Sequence, residues 1–269
     1  MPHEVKTYQN DVFKEQSFEI VDDSDSDMSQ AILTPVASSS DEDDAERFKM
    51  VDHLSSQSID PRNELLHQAI RQGSFDVVKD ELKRANIEME ASDSCTPLVR
   101  AINYDQPDVM QYILKRGANV HHRVKNLPPI AHAVLNGTPR IIQLLMDFGA
   151  DPTSPFQVED YNALQFAAIH EKIDAVDFLI HKGLDLEQTC LGGRTAFLLA
   201  AEQGHLVVMK LLLAEGAELH VKCSQGRTAL AYATRNNHIG TTRYLLEQGL
   251  DVEDQDDAGI SKLKAHIVT

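Results

Sequence analysis

Two short stretches of the sequence imitate metal-binding motifs, and both lack a required ligand. His170 and Glu171 begin like the zinc motif His-Glu-x-x-His, but Asp174 stands where the second histidine is needed, so one helical turn would offer a single imidazole. The run from Asp254 to Gly259 begins like a calcium loop, yet its twelfth position is Ala265 instead of a bidentate glutamate. We therefore predict no metal at either stretch.

The other reactive residues follow no spacing rule of a known catalytic site. His220 and Cys223 are close in the sequence and are possible zinc ligands, but two residues do not define a site. No nucleophile elbow, glycine-rich phosphate loop or Ser/His/Asp arrangement is present. The sequence predicts a protein that is not an enzyme, with no catalytic residue, cofactor or metal.

Charge and composition exclude several classes of partner. The chain of 269 residues has a formal net charge of −17, and residues 1–60 carry 15 Asp/Glu against 4 Lys/Arg. Clustered basic residues, which phosphate-backbone binding needs, are missing, so we expect no nucleic-acid partner. No apolar run approaches the length of a membrane span, the start has no secretory signal and only three cysteines occur. We expect a cytoplasmic or nuclear protein without a membrane partner.

An internal repeat supplies the elements that must position any functional side chain. An alanine that marks each copy recurs at intervals of 32 to 34 residues. Large apolar residues stand three positions before each marker, and a glycine follows sixteen positions after all but the first. Such a fixed period is typical of solenoids. The six markers are Ala69, Ala101, Ala133, Ala167, Ala200 and Ala233.

Each copy predicts two short helices and a polar connection. A threonine such as Thr96, Thr195 or Thr228 opens the first helix by capping its free N–H groups. The second helix carries an apolar stripe, as in HLVVMKLLLAEG, and ends at a glycine such as Gly216. Helix pairs this short cannot bury their own stripes, so neighbouring copies must stack.

The pattern resembles the ankyrin repeat, whose first helix opens with Thr-Pro-Leu-His-x-Ala. The matching runs are Thr96–Ala101, Leu66–Ala69 and Thr228–Ala233, together with the Gly-His-Leu-x-Val run at Gly204–Val208. The resemblance covers about residues 62–258 and implies an all-α ankyrin-repeat solenoid in which β-turn fingers join the helix pairs. Repeats 3 and 4 depart from the pattern, with Pro128-Pro129 in one and a one-residue insertion near Pro152–Asp160 before the other.

The predicted domain organisation has four parts. Residues 1–45 form an acidic, serine-rich tail whose composition predicts disorder. Residues 46–61 include Phe48, Val51 and Leu54 at helical spacing, which allows a capping helix and a linker. Residues 62–258 hold six repeats, and residues 259–269 a capping half-repeat.

The tail contains a short motif and a set of candidate phosphorylation sites. Phe18, Ile20 and Val21 precede a run of acids and serines, which resembles a SUMO-interacting motif or an autophagy-receptor-binding motif. A solvated acidic stretch is the alternative interpretation. The four serines with an acidic residue three positions later are Ser24, Ser38, Ser39 and Ser40. Phosphorylation there would add negative charge to an acidic segment.

The resemblance also implies where a partner would bind. In ankyrin proteins the second and third residues after each marker face the concave groove. Tyr104, Leu135 and Ile169 would form an exposed apolar stripe there; the alternative is that Leu135 and Ile169 pack against their own irregular helices. The predicted partner-binding residues are Arg71, Tyr104, Leu135, Ile169, His170, Glu202 and Arg235.

A basic cluster after repeat 2 is a second candidate surface, for an acidic partner or for the protein's own acidic tail; the alternative is that it is only a solvated finger. It comprises Lys115, Arg116, His121, His122, Arg123 and Lys125. The function that the whole sequence favours is a non-catalytic scaffold or adaptor for another protein, tuned by phosphorylation of the tail. The alternatives are a regulatory ankyrin part of a longer enzyme and a sequestering regulator that resembles inhibitor-of-NF-κB proteins.

Overall fold

The computed structural model describes residues 61–91, 94–136, 138–156 and 159–251. Within them the chain forms six pairs of short antiparallel helices. The helices are α1 Pro61–Arg71, α2 Phe75–Leu82, α3 Pro97–Asn103, α4 Pro107–Lys115, α5 Pro129–Asn136, α6 Pro139–Asp147, α7 Ala163–Ile169, α8 Ile173–His181, α9 Ala196–Gln203, α10 Leu206–Ala214, α11 Ala229–Arg235 and α12 Ile239–Glu247. Each odd-numbered helix and the even-numbered helix after it make one repeat, which confirms the predicted all-α solenoid.

The repeats stack in two layers. Each first helix, from α1 to α11, packs against the first helix of the next repeat, and the second helices from α2 to α10 pack in the same way. The marker alanine at Ala101, and its equivalents in repeats 3 to 6, is fully buried, because this small side chain lets neighbouring first helices approach closely. One continuous apolar core runs through all six repeats.

The predicted helix starts are observed. Thr96, Thr195 and Thr228 each accept a hydrogen bond from the backbone N–H three residues later, at 3.3 to 3.4 Å. In α7 the cap is Asn162, whose side chain accepts from the Gln165 N–H at 2.8 Å while the Gln165 side chain accepts from the Asn162 N–H at 2.9 Å. These bonds satisfy donors that the first helical turn leaves free.

The turn between the two helices of a repeat requires a left-handed backbone. Gly73 and Gly204 provide it at φ +67° and +78°. Three repeats place another residue at the same position with φ between 50° and 61°, namely Asp105, Glu171 and Asn237. Glutamate is the least suited of these, since asparagine and aspartate tolerate the left-handed region better.

The fingers that join the repeats form no regular strand in the described residues. Adjacent fingers are nevertheless linked by backbone hydrogen bonds, from Leu191 N–H to the Glu159 carbonyl at 3.0 Å and from Ser224 N–H to the Gly192 carbonyl at 2.9 Å. Gly193 approaches Ser224 so closely that a Cβ would lie 2.4 Å from the serine hydroxyl oxygen. Cys95, Cys190 and Cys223 are buried, and none of them forms a disulfide.

Several predictions concern parts of the chain outside the described residues. They are the disordered tail with its motif and serines, the capping helix within residues 46–60, and the half-repeat from residue 259. In the described part, α1 begins at Pro61, one residue before the predicted start of the repeats. No helix there has the length and apolar character that crossing a membrane requires.

Candidate partner-binding surface

The predicted partner-binding residues lie at the carboxyl ends of the first helices. We call the second and third residues after each marker the first-helix row. Asn136 in this row donates to the Asn103 side chain of the preceding repeat at 3.0 Å, and Asn236 donates to the Glu202 carbonyl at 2.7 Å. These bonds show that equivalent row positions of successive repeats are neighbours in space, as a continuous binding surface needs.

The apolar members of the row differ in exposure. Tyr104, which caps the carboxyl end of α3, keeps 44% of its surface exposed. Leu135 and Ile169 are half-buried and pack against the core. The structure thus combines the two predicted alternatives: Tyr104 is exposed, whereas Leu135 and Ile169 pack against the core and contribute only part of their area to the row.

The polar members of the row fall into two groups. Arg71 and Arg235 are exposed at the two ends of the stack. His170 is also exposed, and its ring lies edge-on to Phe166 with the centroids 4.5 Å apart. Glu202 is half-buried, and its carboxylate accepts a hydrogen bond from Arg194 at 3.0 Å. The row thus offers a cationic group at each end and the exposed tyrosine ring of Tyr104 in repeat 2.

Arg194 organises the finger side of repeats 4 and 5. Its guanidinium donates to Glu202 at 3.0 Å, to Glu159 at 2.6 Å and to the Tyr161 hydroxyl at 3.2 Å. The side chain is only 17% exposed, so these charge-assisted bonds are partly shielded from water. Burial raises the pKa of Tyr161 to about 12, which keeps its hydroxyl neutral. Arg194 therefore ties two fingers to helix α9.

Sequence reasoning did not find the Arg194 network. The repeated Arg-Thr-Ala at Arg194 and Arg227 was a visible signal, but the partners of the guanidinium lie eight to 35 residues away. Glu159 also falls in the insertion, where the repeat register is lost. The contact depends on how one finger stacks on the next.

A second buried contact joins a finger to its own first helix. The Tyr232 hydroxyl donates to the Cys223 sulfur at 3.3 Å, and the Gln225 N–H donates to the same sulfur at 3.4 Å. Burial alone would raise the pKa of the Cys223 thiol, but these hydrogen bonds outweigh it and lower the pKa. Cys223 is thus engaged in structural hydrogen bonds.

The basic cluster is largely used inside the protein. Arg116 donates to the Leu82 carbonyl of the preceding repeat at 2.9 Å. Arg123 donates to the Pro155 carbonyl at 3.0 Å and also to the carbonyl of Phe156. His122 lies 3.3 Å from a carboxylate oxygen of Glu90. These residues hold neighbouring repeats together, so they do not form a free cationic patch.

The residues that imitate the zinc motif are not brought together as ligands. Asp174 lies in the first turn of α8. Glu171 occupies the left-handed turn and points one carboxylate oxygen toward His205, 3.6 Å from its Nδ1. In the described part of the chain, no group of three or more His, Cys, Asp or Glu side chains has the arrangement of a metal site.

The chain is a helical solenoid of the kind that binds other proteins. Its helix pairs are capped by threonine or asparagine, joined by fingers and stacked through small buried alanines. Family models identify these repeats. Residues 186–256 match the model for ankyrin repeats in three copies, and residues 93–125 match the model for a single ankyrin repeat. The chain belongs to the ankyrin-repeat proteins.

Solved structures agree on the fold. The human ASB11 ankyrin repeat domain superposes with a TM-score of 0.60 at 19% identity, covering 72% of this chain and 87% of that one. The ankyrin repeat domain of Bcl-3, described as a unique member of the IkappaB protein family, gives a TM-score of 0.58 at 23% identity, covering 70% and 87%. At these identities the likeness concerns the fold alone.

Curated relatives are much longer proteins that share the repeats. Palmitoyltransferase AKR1 of Lachancea kluyveri is 25% identical over 201 residues, which is 71% of this chain and 27% of that protein. E3 ubiquitin-protein ligase KEG of Arabidopsis thaliana is 33% identical over 106 residues, 38% of this chain and 6% of that protein. The chain thus spans about a quarter or less of these relatives.

Proposed function

We propose that this chain is a non-catalytic scaffold or adaptor that holds another protein against its first-helix row. Ankyrin repeats in general mediate contacts between proteins. The observation that carries the proposal is the 44% exposure of Tyr104 on a row whose other exposed members are polar. An exposed tyrosine rimmed by polar groups is typical of an interface anchor, since it buries a large apolar area and keeps a hydroxyl for hydrogen bonding.

The surroundings of Tyr104 fit such an anchor. Leu135 and Ile169, in the two following repeats, each leave part of their area accessible on the same row. Arg71 and Arg235 extend the row with positive charge at both ends. A partner segment with a central apolar residue and acidic flanks would complement this arrangement, because the charges steer the encounter and the apolar contact supplies affinity.

A lysine substitution tests the surface directly. Tyr104→Lys removes the anchor at an exposed position, so the fold is retained, and we expect the proteins captured by the purified chain to be lost or reduced at least tenfold. Val207→Lys is the matched control, because Val207 is 51% exposed and lies on a second helix, whereas the row belongs to the first helices. Equal capture by both variants, compared by quantitative mass spectrometry, removes the row as the binding surface.

The second candidate function is a regulatory ankyrin part of a longer enzyme. The observation that favours it is the match to Palmitoyltransferase AKR1 over 71% of this chain. Against catalysis by the repeats themselves, the charged residues nearest the row bind one another, as Glu202 and Arg194 do. Acyl-transfer and hydrolase assays on the purified chain separate the candidates, since the scaffold function predicts no turnover above that of a boiled sample.

We also propose that the acidic tail adds a regulated contact in the cytoplasm or nucleus. The support is its composition, with Phe18, Ile20 and Val21 before a run of acids and serines. If the motif binds SUMO, Ile20→Ala abolishes binding in a titration of the full chain. If it binds an autophagy receptor instead, Phe18→Ala removes that interaction. Absence of both interactions in the unmodified chain rejects the motif.

Phosphorylation would tune this contact through charge. An acidophilic kinase acting on Ser24 or on the run from Ser38 to Ser40 would add about −1.5 to −2 charges at each site. We expect tighter binding to a basic partner surface, read as a lower dissociation constant after kinase treatment. An unchanged constant for the phosphorylated chain rejects the regulatory role, and a chain with all four serines replaced by alanine is the control.

A further inference from the structure

Three hydroxyl residues in the described part of the chain stand directly before a proline, the pair of residues that proline-directed protein kinases recognise. They are Thr96, Thr138 and Ser154. The pair by itself is a common pattern in sequences. The surroundings of each hydroxyl therefore decide which of the three can accept a phosphate.

Two of the three hydroxyl groups are already used inside the protein. Thr96 is 2% exposed, and its side-chain oxygen accepts a hydrogen bond from the Val99 N–H at the start of α3. Ser154 is exposed, but its hydroxyl donates to a carboxylate oxygen of Asp151 at 2.7 Å. A phosphate on Thr96 would be buried without solvent, and one on Ser154 would lie against a group of the same charge.

Thr138 differs from both. It is exposed, directly before α6, and its side chain makes no capping hydrogen bond to that helix. Its backbone is extended, at φ −82° and ψ 159°, the conformation that a following proline favours. The Thr138 hydroxyl is thus presented to solvent in the turn between two helices.

A cation that can bind a phosphate stands two residues after Thr138. Arg140 lies with its Nη2 atom 3.8 Å from a carboxylate oxygen of Asp108 in repeat 2. The two side chains are 73% and 86% exposed, so water screens their attraction and the pair is weak. A stronger anion on the same side can therefore take the guanidinium from Asp108.

The repeat register indicates which other charges face such an anion. His205 and His238, at the position of Thr138 in repeats 5 and 6, bond to carbonyls of the preceding repeat at 2.8 and 2.9 Å. By this register a phosphate on Thr138 would face repeat 2, whose turn holds Asp105, and Lys172 would face repeat 3 from the other side. These two charges offset each other, so the guanidinium two residues away decides how the phosphate is bound.

We propose that Thr138 is a phosphorylation site for a proline-directed protein kinase, and that its phosphate draws Arg140 away from Asp108. In the transfer, the bond between the γ-phosphorus of ATP and the oxygen that bridges it to the β-phosphorus breaks, and a bond to the Thr138 Oγ1 forms. The hydroxyl proton passes to the catalytic base of the kinase, and ADP leaves. The phosphate carries about −1.5 to −2 charges and can accept two guanidinium N–H groups at once, which favours it over the single charge of Asp108.

This site differs from the serines of the acidic tail, which suit an acidophilic kinase. Thr138 follows Leu135 of the first-helix row by three residues. Phosphorylation therefore changes the charge beside that row, and this consequence rests on the proposed function. The site itself does not depend on the row, because phosphate transfer and its binding by Arg140 are measured without any partner.

Kinase treatment of the folded full chain tests the site. The purified chain is incubated with ATP and a cyclin-dependent kinase, and separately with a mitogen-activated protein kinase, and peptide mass spectrometry gives the occupancy of each hydroxyl. With at least one of these kinases we expect an occupancy at Thr138 at least tenfold above that at Thr96 and Ser154. Occupancy at Thr138 no higher than at those two, or phosphorylation there only after heat unfolding, overturns the proposal.

A ³¹P NMR titration of the phosphorylated chain tests the exchange of ion pairs. The guanidinium favours the dianion, so Arg140→Gln should raise the second pKa of the phosphate and lower its dissociation constant by roughly two- to fivefold, the range of an exposed ion pair. Asp108→Asn, which keeps the residues next to Thr138, should change the constant in the opposite direction because the guanidinium is no longer shared. Arg243→Gln, an exposed arginine on the second helix of repeat 6, is the control. The same phosphate pKa in all three variants overturns the exchange.

Discussion

Repeats 5 and 6 are attached to the preceding repeat differently from repeats 3 and 4. In the former, a histidine five positions after the marker bonds to the preceding repeat, from His205 to the Ile169 carbonyl at 2.8 Å and from His238 to the Glu202 carbonyl at 2.9 Å. Repeats 3 and 4 place Thr138 and Lys172 there. The same fold is thus stabilised by a repeated histidine hydrogen bond in one region and by contacts specific to single repeats in the other.

Repeat 4 is stabilised by local contacts that the other repeats do not share. Phe156, in the insertion, is 1% exposed and packs edge-on to Phe166 with the ring centroids 5.7 Å apart. The capping box of Asn162 and Gln165 replaces the usual threonine. Repeats 3 and 4 also carry Leu135 and Ile169 on the first-helix row. Departures from the repeat pattern thus occur in the repeats where the row is least polar. A partner would gain apolar contacts in the same repeats.

The largest expected effect concerns Phe156. Phe156→Ala leaves a cavity beside Phe166, and we expect a loss of about 3–5 kcal/mol in the free energy of unfolding. Phe156→Leu, which fills most of the volume, should lose much less. Urea denaturation followed by circular dichroism measures both variants. Equal and small losses would show that the insertion is a peripheral loop and would remove the local apolar anchor of repeats 3 and 4.

Arg194 should have the next largest effect. Arg194→Met keeps the length of the side chain but leaves two carboxylates without their guanidinium. We expect a loss of about 2 kcal/mol, less than for a fully buried ion pair because Glu159 is 45% exposed. Arg194→Lys keeps the charge but cannot bond three groups at once, so it should restore only part of the loss. Full restoration in thermal unfolding would contradict the proposed geometry.

A substitution in repeat 4 should stabilise the protein. Glu171 has φ +53° at a turn position where repeats 1 and 5 have glycine. Glu171→Gly relieves this strain, and we expect a gain of about 1 kcal/mol. Glu171→Ala, which keeps the strain and removes the carboxylate near His205, should give no gain. If both variants gain equally, the carboxylate and not the backbone conformation disfavours glutamate there.

The smallest effect is a dependence on pH in repeat 3. His132 is 8% exposed, and burial lowers its pKa although the ring bonds to the Val124 carbonyl at 3.2 Å. The folded protein therefore binds this proton less readily than the unfolded chain does. Stability from the neutral ring is present above the ordinary pKa near 6.5 and is lost as the pH falls toward the lowered folded pKa.

His132→Leu removes this titration, and leucine already stands at the equivalent position in repeat 5 as Leu199. We expect the unmodified chain to lose free energy of unfolding relative to the variant between pH 7 and pH 5, with the difference constant above pH 8. Denaturation at several pH values gives the curve. A difference that does not change between pH 8 and pH 5 would show that the ring is readily protonated in the fold.

The repeat period explains why much of the fold was predictable. Both kinds of signal are local. A cap such as Thr96 predicts where a helix begins, and a marker alanine such as Ala101 predicts which side of that helix is buried. The two-layer stack follows because the helix pairs are too short to bury their stripes alone.

Features that depend on non-periodic contacts were not predictable. The insertion has no register with the other fingers, so nothing in the sequence indicated that Phe156 would enter the core or that Glu159 would bind Arg194. The exposure of the row was predicted in part: Tyr104 is exposed, but Leu135 turns toward the core. How far an aliphatic side chain leans inward depends on the packing of its particular repeat, which a pattern of residue types does not encode.

The claim that the first-helix row binds a partner is tested most directly by site-specific photo-crosslinking in cells. A photoreactive phenylalanine replaces Tyr104 in one chain and Val207 in another, because these residues are similarly exposed at 44% and 51% on different surfaces. If a partner binds the first-helix row, we expect a discrete crosslinked protein at position 104 and none at position 207. Crosslinks of equal yield at both positions, or at position 207 alone, would contradict it.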